Sequence, residues 1–407
     1  MSKLEALLQG VKVKFIPLGE ICETVTDYVA AGSFAALKEN VKYNDEKDYA
    51  QLVRTKDLKS NFSKNDFVYV SEHAFNFLWR VNLKEECIIL PNIGNCGEVY
   101  YLAPNVLPYE NNVLGPNAIL LRSIKYNNVY LSYIFKSDFF QNQLIKITTP
   151  GGQSKFNKTE LKKLQIPIPC PDNPEKSLEI QQEIVRILDQ LTETTNNLKN
   201  ELENERQIRK KQFEFYREQL FRFEEGENNY VALGELAENL DSKRKPITSS
   251  QRKPGKIPYY GASGIVDYVE DYIFDGDYLL VSEDGANLLA RSTPIAFSIS
   301  GKNWVNNHAH ILKFETKYER LFVEYYLNSI DLAPYITGAA QPKLNKKNLN
   351  SIKIPNPALE EQERIVKLLD QFDATHTAIE EEISKEIKLR TQQYEYYREK
   401  LLSFPQN

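Results

Sequence analysis

Lys243-Arg244-Lys245, Arg252-Lys253 and Lys256 form the densest basic cluster of the chain, in a stretch that reads as loop. Bases at that density hold phosphate groups; the plainer alternative is a solvated loop. Two further lysines, Lys155 and Lys343, occupy matching places in a pattern that occurs twice. The first follows the flexible loop Gly151-Gly152-Gln153-Ser154 and the second closes its counterpart, Gly338–Lys343. A shared position favours a shared phosphate contact. No catalytic chemistry accompanies these bases. The sequence holds no [DN]-P-P-[FYW] motif for amino-methylation, no GxxxxGK[ST] phosphate loop and no zinc spacing. Its four histidines form no nucleophile–base pair, and Glu175-Lys176 is a lone acid–base pair in a loop. The expectation is a chain with no catalytic residue, no metal ligand and no cofactor of its own.

The elements that must position these bases are announced by a repeat. Residues 181–221 and 362–402 align without a gap, 181 positions apart. Ile184-Val185 matches Ile365-Val366, Leu188-Asp189-Gln190 matches Leu369-Asp370-Gln371, and Tyr216-Arg217-Glu218 matches Tyr397-Arg398-Glu399. Apolar residues recur at steps of four and three: Ile184, Leu188, Leu191, Leu198 and Leu202, then Ile365, Leu369, Phe372, Ile379 and Ile383. That spacing is a coiled-coil seam. Glu205 and Arg209, and again Glu386 and Arg390, break the stripe with charge. No Pro or Gly interrupts either copy. A helix of that length spans roughly 65–70 Å, at about 1.5 Å per residue. A block the size of residues 226–357 is only about 30 Å across. The simplest path is therefore two antiparallel helices with one block at each end, related by an approximate twofold axis. A generic spacer without symmetry is the alternative.

The repeat extends beyond the helices. Each block opens on Leu-Gly-Glu with an apolar fourth residue, at Leu18–Ile21 and Leu233–Leu236. Each closes alike, in QSKFNKTELKKLQIPIP (153–169) and QPKLNKKNLNSIKIPNP (341–357). Asn157 with Glu160 suits a capping box; the second copy has Asn348 at the later position, a weaker cap. Strands are expected at 67–70, 87–90, 278–281 and 294–299, and helices at 129–146 and 318–330. The middles of the blocks do not align by eye. The fold expected is α+β: two blocks, 1–170 and 226–357, separated by an antiparallel pair of long helices, 178–222 and 359–402, with internal pseudo-twofold symmetry.

Composition is that of a soluble globular protein, 42% hydrophobic and 26% charged. No apolar run approaches the length of a membrane span, and the first residues lack a signal-peptide core. Four cysteines without close pairs suit reduced thiols in the cytoplasm. The net charge of −5 is carried by the two helix segments, leaving the blocks near neutral.

The I-P-x-P exit, the Q-x-x-I-V-x-x-L-D-Q helix start and the Q-[FY]-E-[FY]-Y-R-E-[QK]-L ending, each present twice, resemble the specificity subunit of type I restriction-modification systems. The resemblance covers nearly the whole chain. It implies two target-recognition domains that each read one half of a split sequence in double-stranded DNA, with the helices acting as a ruler. It also implies docking of two methyltransferase subunits, which use S-adenosylmethionine, and of motor-nuclease subunits, which use ATP and magnesium. Several segments resemble those of family recognition domains. They single out Tyr259, Tyr260 and Ser263; Asp284 and Asn287; Asn306, Asn307 and His308; and, in block one, Ser33, Arg54 and Lys56. Arg54 and Lys56 alternate with apolar residues, as on an exposed strand face. Asn suits an adenine edge and Asp a cytosine amine; hydrogen-bonded turns are the alternative for each. His310 is expected to pack in a strand. A coiled-coil scaffold without DNA specificity is the competing reading of the whole.

Overall fold

The prolines that close each block do so inside a strand. Gln165–Pro169 pairs antiparallel with Val13–Pro17, placing Pro167 opposite Phe15 and Pro169 opposite Val13. Proline has no amide proton and is confined to strand edges; a two-stranded ribbon has only edges. Tyr230–Ala232 and Lys353–Pro355 form the same ribbon in block two. The computed structural model describes residues 10–149, 154–223, 230–338 and 341–404.

Behind each opening strand lies one helical turn, Leu18–Ile21 or Leu233–Leu236. Its glycine explains the repeated Leu-Gly-Glu. A Cβ on Gly19 would stand 3.0 Å from Lys162 Cβ, and one on Gly234 would stand 2.9 Å from Asn350 Cβ. The turn thus packs hard against the closing helix, Lys158–Leu161 or Lys346–Ser351. Both closing helices are capped alike. Asn157 accepts from Glu160 N and Asn345 accepts from Asn348 N, each at 2.9 Å. Asn345 is the counterpart of Asn157, and Asn348 stands at the later position, where copy one has Glu160.

The interiors, which do not align by sequence, share one architecture. Block one holds a four-stranded antiparallel sheet in the order Thr24–Asp27, Ala118–Arg122, Cys87–Pro91, Tyr100–Leu102. Block two repeats it with Glu238–Asn239, Ala309–Lys313, Tyr278–Ser282 and Ala296–Ile299. Each block adds a second sheet around a parallel pair. In block one Ala50–Val53 runs beside Asn112–Leu114, and in block two Pro254–Gly261 runs beside Lys302–Val305. The central strands are buried on both faces, as alternation of side chains requires. Ile88 and Leu90 point to a core with Leu18, Tyr130 and Ile184, while Cys87 and Ile89 point to a core with Leu52 and Val113. Leu279 and Val281 face Phe322 and Ile365, while Tyr278 and Leu280 face Phe274 and Val305. All four cysteines are free, and burial pushes the Cys22 and Cys87 thiols up to about 12.

The expected helix at 129–146 is two helices, Asn128–Lys136 and Asp138–Ile147. Ser137 separates them: its hydroxyl donates to Ile134 O at 2.6 Å and its backbone is extended. The bend brings the Phe135 and Phe140 rings to 4.6 Å. The helix of block two, Lys317–Ser329, is unbroken.

The long helices are Pro174–Leu220 and Leu359–Leu402. The chain divides into two units that cut both of them: Met1–Asn200 with Ile387–Asn407, and Glu201–Glu386. In unit one, Thr192 Oγ1 donates to Tyr394 Oη at 3.1 Å, and Leu188 shares a core with Leu402. In unit two, Arg206 reaches Glu380 at 3.1 Å, Phe213 lies 4.9 Å from the His376 ring, and Tyr216 lies 6.3 Å from Phe372. Partners rise along one helix as they fall along the other, so the helices are antiparallel in both units.

The repeated helix start has a mechanical role. Tyr133 donates to Asp189 at 2.6 Å and Tyr325 donates to Asp370 at 2.7 Å, fastening each block to its own helix through the Leu-Asp-Gln motif. Gln181 and Gln362 are buried beneath them, and Gln181 Oε1 accepts from Asn127 N at 3.0 Å. Of the seam residues, Ile184, Leu188, Ile365 and Leu369 are sunk in the block cores and Ile383 is buried. Leu191, Leu198, Leu202, Phe372 and Ile379 are half-buried, as in a two-stranded contact. Leu188→Ala should therefore cost about 2–5 kcal/mol in urea unfolding, and Leu198→Ala less than half of that. Equal losses would show that the cores do not anchor the helices.

Candidate functional site

Block two gathers most of its sequence-selected residues around one open cleft of about 640 Å³. The turn 261–264 forms one wall; it ends the strand Pro254–Gly261 and is tied to Ser282, whose hydroxyl donates to Ala262 O at 2.5 Å. The segments 284–287 and 306–308 form the others, each leaving the end of a sheet strand. Ser263, Asn307 and His308 are exposed there, and Asp284 is half-buried. His308 Nδ1 lies 2.9 Å from both Asp284 oxygens, which fixes the ring at the mouth of the cleft. Asn306 lines the cleft but is buried, its Oδ1 accepting from His308 N at 2.8 Å; it shapes the turn.

Four residues read from the sequence as DNA contacts are spent on the fold. Tyr259 is 1% exposed, and its hydroxyl meets Ile247 N at 3.0 Å, so it offers no edge to a backbone. Asn287 uses its whole amide internally: Nδ2 donates to Thr293 O, while Oδ1 accepts from Thr293 N and Ser292 Oγ. Arg244 turns inward onto Glu283 at 2.7 Å and Ala309 O at 2.7 Å. Arg252 braces the same loop, stacked 4.4 Å over Tyr259 and paired with Asp267 at 3.1 Å. Guanidinium forks make several bonds at once, so the arginines anchor the basic loop. Lys243, Lys245 and Lys256 stay exposed, and Lys253 is exposed 3.9 Å from Glu270. Tyr260 is half-buried beside Phe297.

Under the cleft lies a charged network that spacing did not reveal. Asp241, Glu283 and His310 bring ligand-type atoms within 4.8 Å of one another. The group does not fit a metal ion, because its charges are already matched. Arg244 and Lys343 pair with Glu283 at 2.7 and 3.1 Å, and His310 Nδ1 lies 2.6 Å from Asp241. His310 Nε2 lies 2.7 Å from Leu344 O, so both ring nitrogens face oxygens. Burial alone would raise both carboxyls. Together, His310, the Ile311 amide and Arg244 outweigh it at Asp241, and Arg244, His310 and Lys343 together outweigh it at Glu283, so both titrate below the usual carboxylate range.

Lys155 and Lys343 occupy equivalent places. Each bridges two segments, Lys155 to Ile93 and Thr149, Lys343 to Asp284 and Thr337. Each bridge ends at a glycine with positive φ, Gly94 at 84° and Gly285 at 107°. Their amides donate to Ser154 O and Pro342 O, a backbone twist that favours glycine. Both lysines are exposed. Gln153 lies outside the described residues. In block one the strand face expected for Arg54 and Lys56 is absent. The strand ends at Val53; Arg54 begins the helix Thr55–Lys59 and grips Asp57 at 2.8 Å, and Lys56 pairs with Asp66 at 2.6 Å. Asp57, three residues on, bonds back to Arg54 N, and this local competition ended the strand. Ser33 caps the helix Phe34–Asn40 at the surface.

Comparison with known proteins follows this geometry. The family model of the type I restriction modification DNA specificity domain matches residues 10–205 and again 225–389. The chain belongs to the type I restriction-modification specificity family. Over 434 aligned residues it is 31% identical to the specificity subunit of the EcoR124I/EcoR124II type I restriction enzyme of Escherichia coli, covering 100% of this chain and 98% of that one. It is 40% identical over 184 residues to a putative type I specificity subunit of Haemophilus influenzae, covering 44% and 47% of the two chains. A chain solved in a study of type I system assembly and conformational transition shares the fold, with a TM-score of 0.70 at 15% identity over 96% of this chain and 97% of that one. The HsdS subunit of Thermoanaerobacter tengcongensis gives 0.57 at 17% identity, over 96% and 95%. As a specificity subunit the chain is non-catalytic.

The network predicts a pH dependence. Carboxyls lowered by folding stabilise block two fully above their unfolded values near 4, and that stability is lost as pH falls through the folded values. Urea unfolding between pH 6 and 2 should lose stability less steeply in Asp241→Asn, which should already be the weaker protein at pH 6. An unchanged slope would remove Asp241 from the network.

Proposed function

We propose that this specificity subunit reads a split duplex sequence, one half with each block, and that the block-two cleft is one of the two reading surfaces. The observation that carries the reading is the convergence of Ser263, Asp284, Asn307 and His308 on one cleft, with exposed Lys243 and Lys245 in the chain just before its lining residues Pro246, Ile247 and Thr248, and exposed Lys256 on the strand that ends at its lining residue Gly261. Base-edge donors and acceptors beside phosphate-binding lysines are what groove recognition needs. The doubled Lys155 and Lys343 bridges supply equivalent phosphate contacts at both half-sites. The antiparallel helices set the gap and dock two methyltransferase subunits of the adenine-N6 class. Those partners hold S-adenosylmethionine, and motor-nuclease subunits hold ATP and magnesium. The complex works on DNA in the cytoplasm; among the described residues no helix is long and apolar enough to cross a membrane.

Mapping modified adenines in DNA exposed to the assembled complex tests the reading, with a two-part motif of fixed gap as the expected result. Modification without sequence preference would overturn it. Asn307→Ala should relax or change one half-sequence only, at about 1–3 kcal/mol of discrimination. Lys245→Ala and Lys256→Ala should weaken all sequences about equally and flatten the salt dependence. Inserting one heptad in each long helix adds roughly 10 Å. At about 3.4 Å per base pair, the gap should widen by about three base pairs with both half-sequences intact.

A further inference from the structure

Unit two contains a second cleft, of about 610 Å³, where the end of the first long helix meets the helix Lys317–Ser329 and the segment 291–295. Arg217 and Arg291 both line it. Arg217 Nε and one terminal nitrogen of Arg291 are buried without a hydrogen-bond partner. The other terminal nitrogen of Arg291 makes one long donation, 3.4 Å to Asn328 O, and Arg217 lies 5.6 Å over the Phe213 ring. Among the described residues neither forms an ion pair within reach of its guanidinium. Buried guanidinium nitrogens without a partner on one cleft are unfavourable unless an acceptor completes them. Burial, opposed by Asp331 and reinforced by Arg217, lowers the Arg291 pKa. Arg291 also holds a left-handed backbone, φ 47°, and Asn287 fixes the adjoining Ser292 and Thr293. The rim is therefore built before anything binds.

The neighbouring acids form no ion pair with either guanidinium among the described residues. Burial raises both the Glu324 and Asp373 carboxyls, the Arg217 charge opposing it at Asp373, and Glu324 is engaged by Ser298. They also argue against DNA as the occupant. A duplex brings one charge about every 1.7 Å along its axis, and its flanking phosphates would meet those acids. A single carboxylate on a methylene stem suits the site better, because Ile295, Phe297 and Leu321 line it beside the arginines. In unit one, Arg398, the repeat counterpart of Arg217, pairs with Glu399 at 2.8 Å, so the arginine with an unpaired buried nitrogen belongs to the cleft of unit two.

We propose that Arg217 and Arg291 form a receptor for one carboxylate side chain of a methyltransferase subunit, presented to the end of the first long helix. This rests on the reading of the chain as a docking subunit. The test is affinity for the methyltransferase subunit of its own system, measured by sedimentation with wild type, Arg217→Gln, Arg291→Gln, the double variant, and Arg217→Lys with Arg291→Lys. The double Gln variant should lose roughly tenfold or more in affinity. The lysine pair, which keeps charge without the fork, should fall between. Circular dichroism checks folding, and if the Gln pair unfolds the lysine pair decides: wild-type affinity from it overturns the receptor. Unchanged affinity in folded variants overturns it too. So does intact assembly with weakened DNA retention, which would give the arginines to phosphate. If the wild-type complex retains no DNA, the recognition reading fails, while the affinity series still judges the cleft.

Discussion

Burial of four aliphatic side chains holds this architecture together. A long two-stranded helix pair covers only part of each apolar stripe, and isolated helices depend on tertiary packing for most of their stability. Ile184 and Leu188 are completely enclosed in one block core, and Ile365 and Leu369 in the other. Each helix therefore leaves its own block as an extension of that block's core. Within unit two, Phe221 packs at 5.5 Å against Phe322, and within unit one Leu402 joins the core. The tyrosine bonds to Asp189 and Asp370 then fix how each helix leaves.

The frame was legible in the sequence because it is repeated and because its periodicity is simple. The Leu-Gly-Glu turns, the proline ribbons, the long helices and most strands stand where pattern places them. The shared interiors were not legible. Strands such as Cys-Ile-Ile-Leu-Pro and Tyr-Leu-Leu-Val-Ser are buried on both faces, so many apolar residues satisfy them equally and no alignment survives. Pattern also failed where a side chain had a local partner. Arg54 looked like part of a strand, but Asp57 three residues on captured it. Tyr259 and Asn287 looked like readers, yet bonds to residues five or more positions away absorb them. Composition names the chemistry a residue can do; only the fold shows whether its donors are still free.

The two clefts of block two differ in that respect. At the first, Asp241 and Glu283 are met beneath the surface by His310, Arg244 and Lys343, while Lys243, Lys245, Lys256 and Asn307 remain exposed outside that network. At the second, the fold leaves cationic donors unmet. Asn287 lies between them, lining the first cleft while clasping Ser292 and Thr293 on the rim of the second. One side chain thus joins the walls of both.

The ribbon that opens and closes each block brings entry and exit side by side, Val13 against Pro169 and Tyr230 against Pro355. A segment whose two ends are neighbours can be exchanged with little disturbance to what it is grafted onto. A lineage could therefore inherit a new interior by recombination and keep the old scaffold, altering one word of its recognition vocabulary at a single stroke.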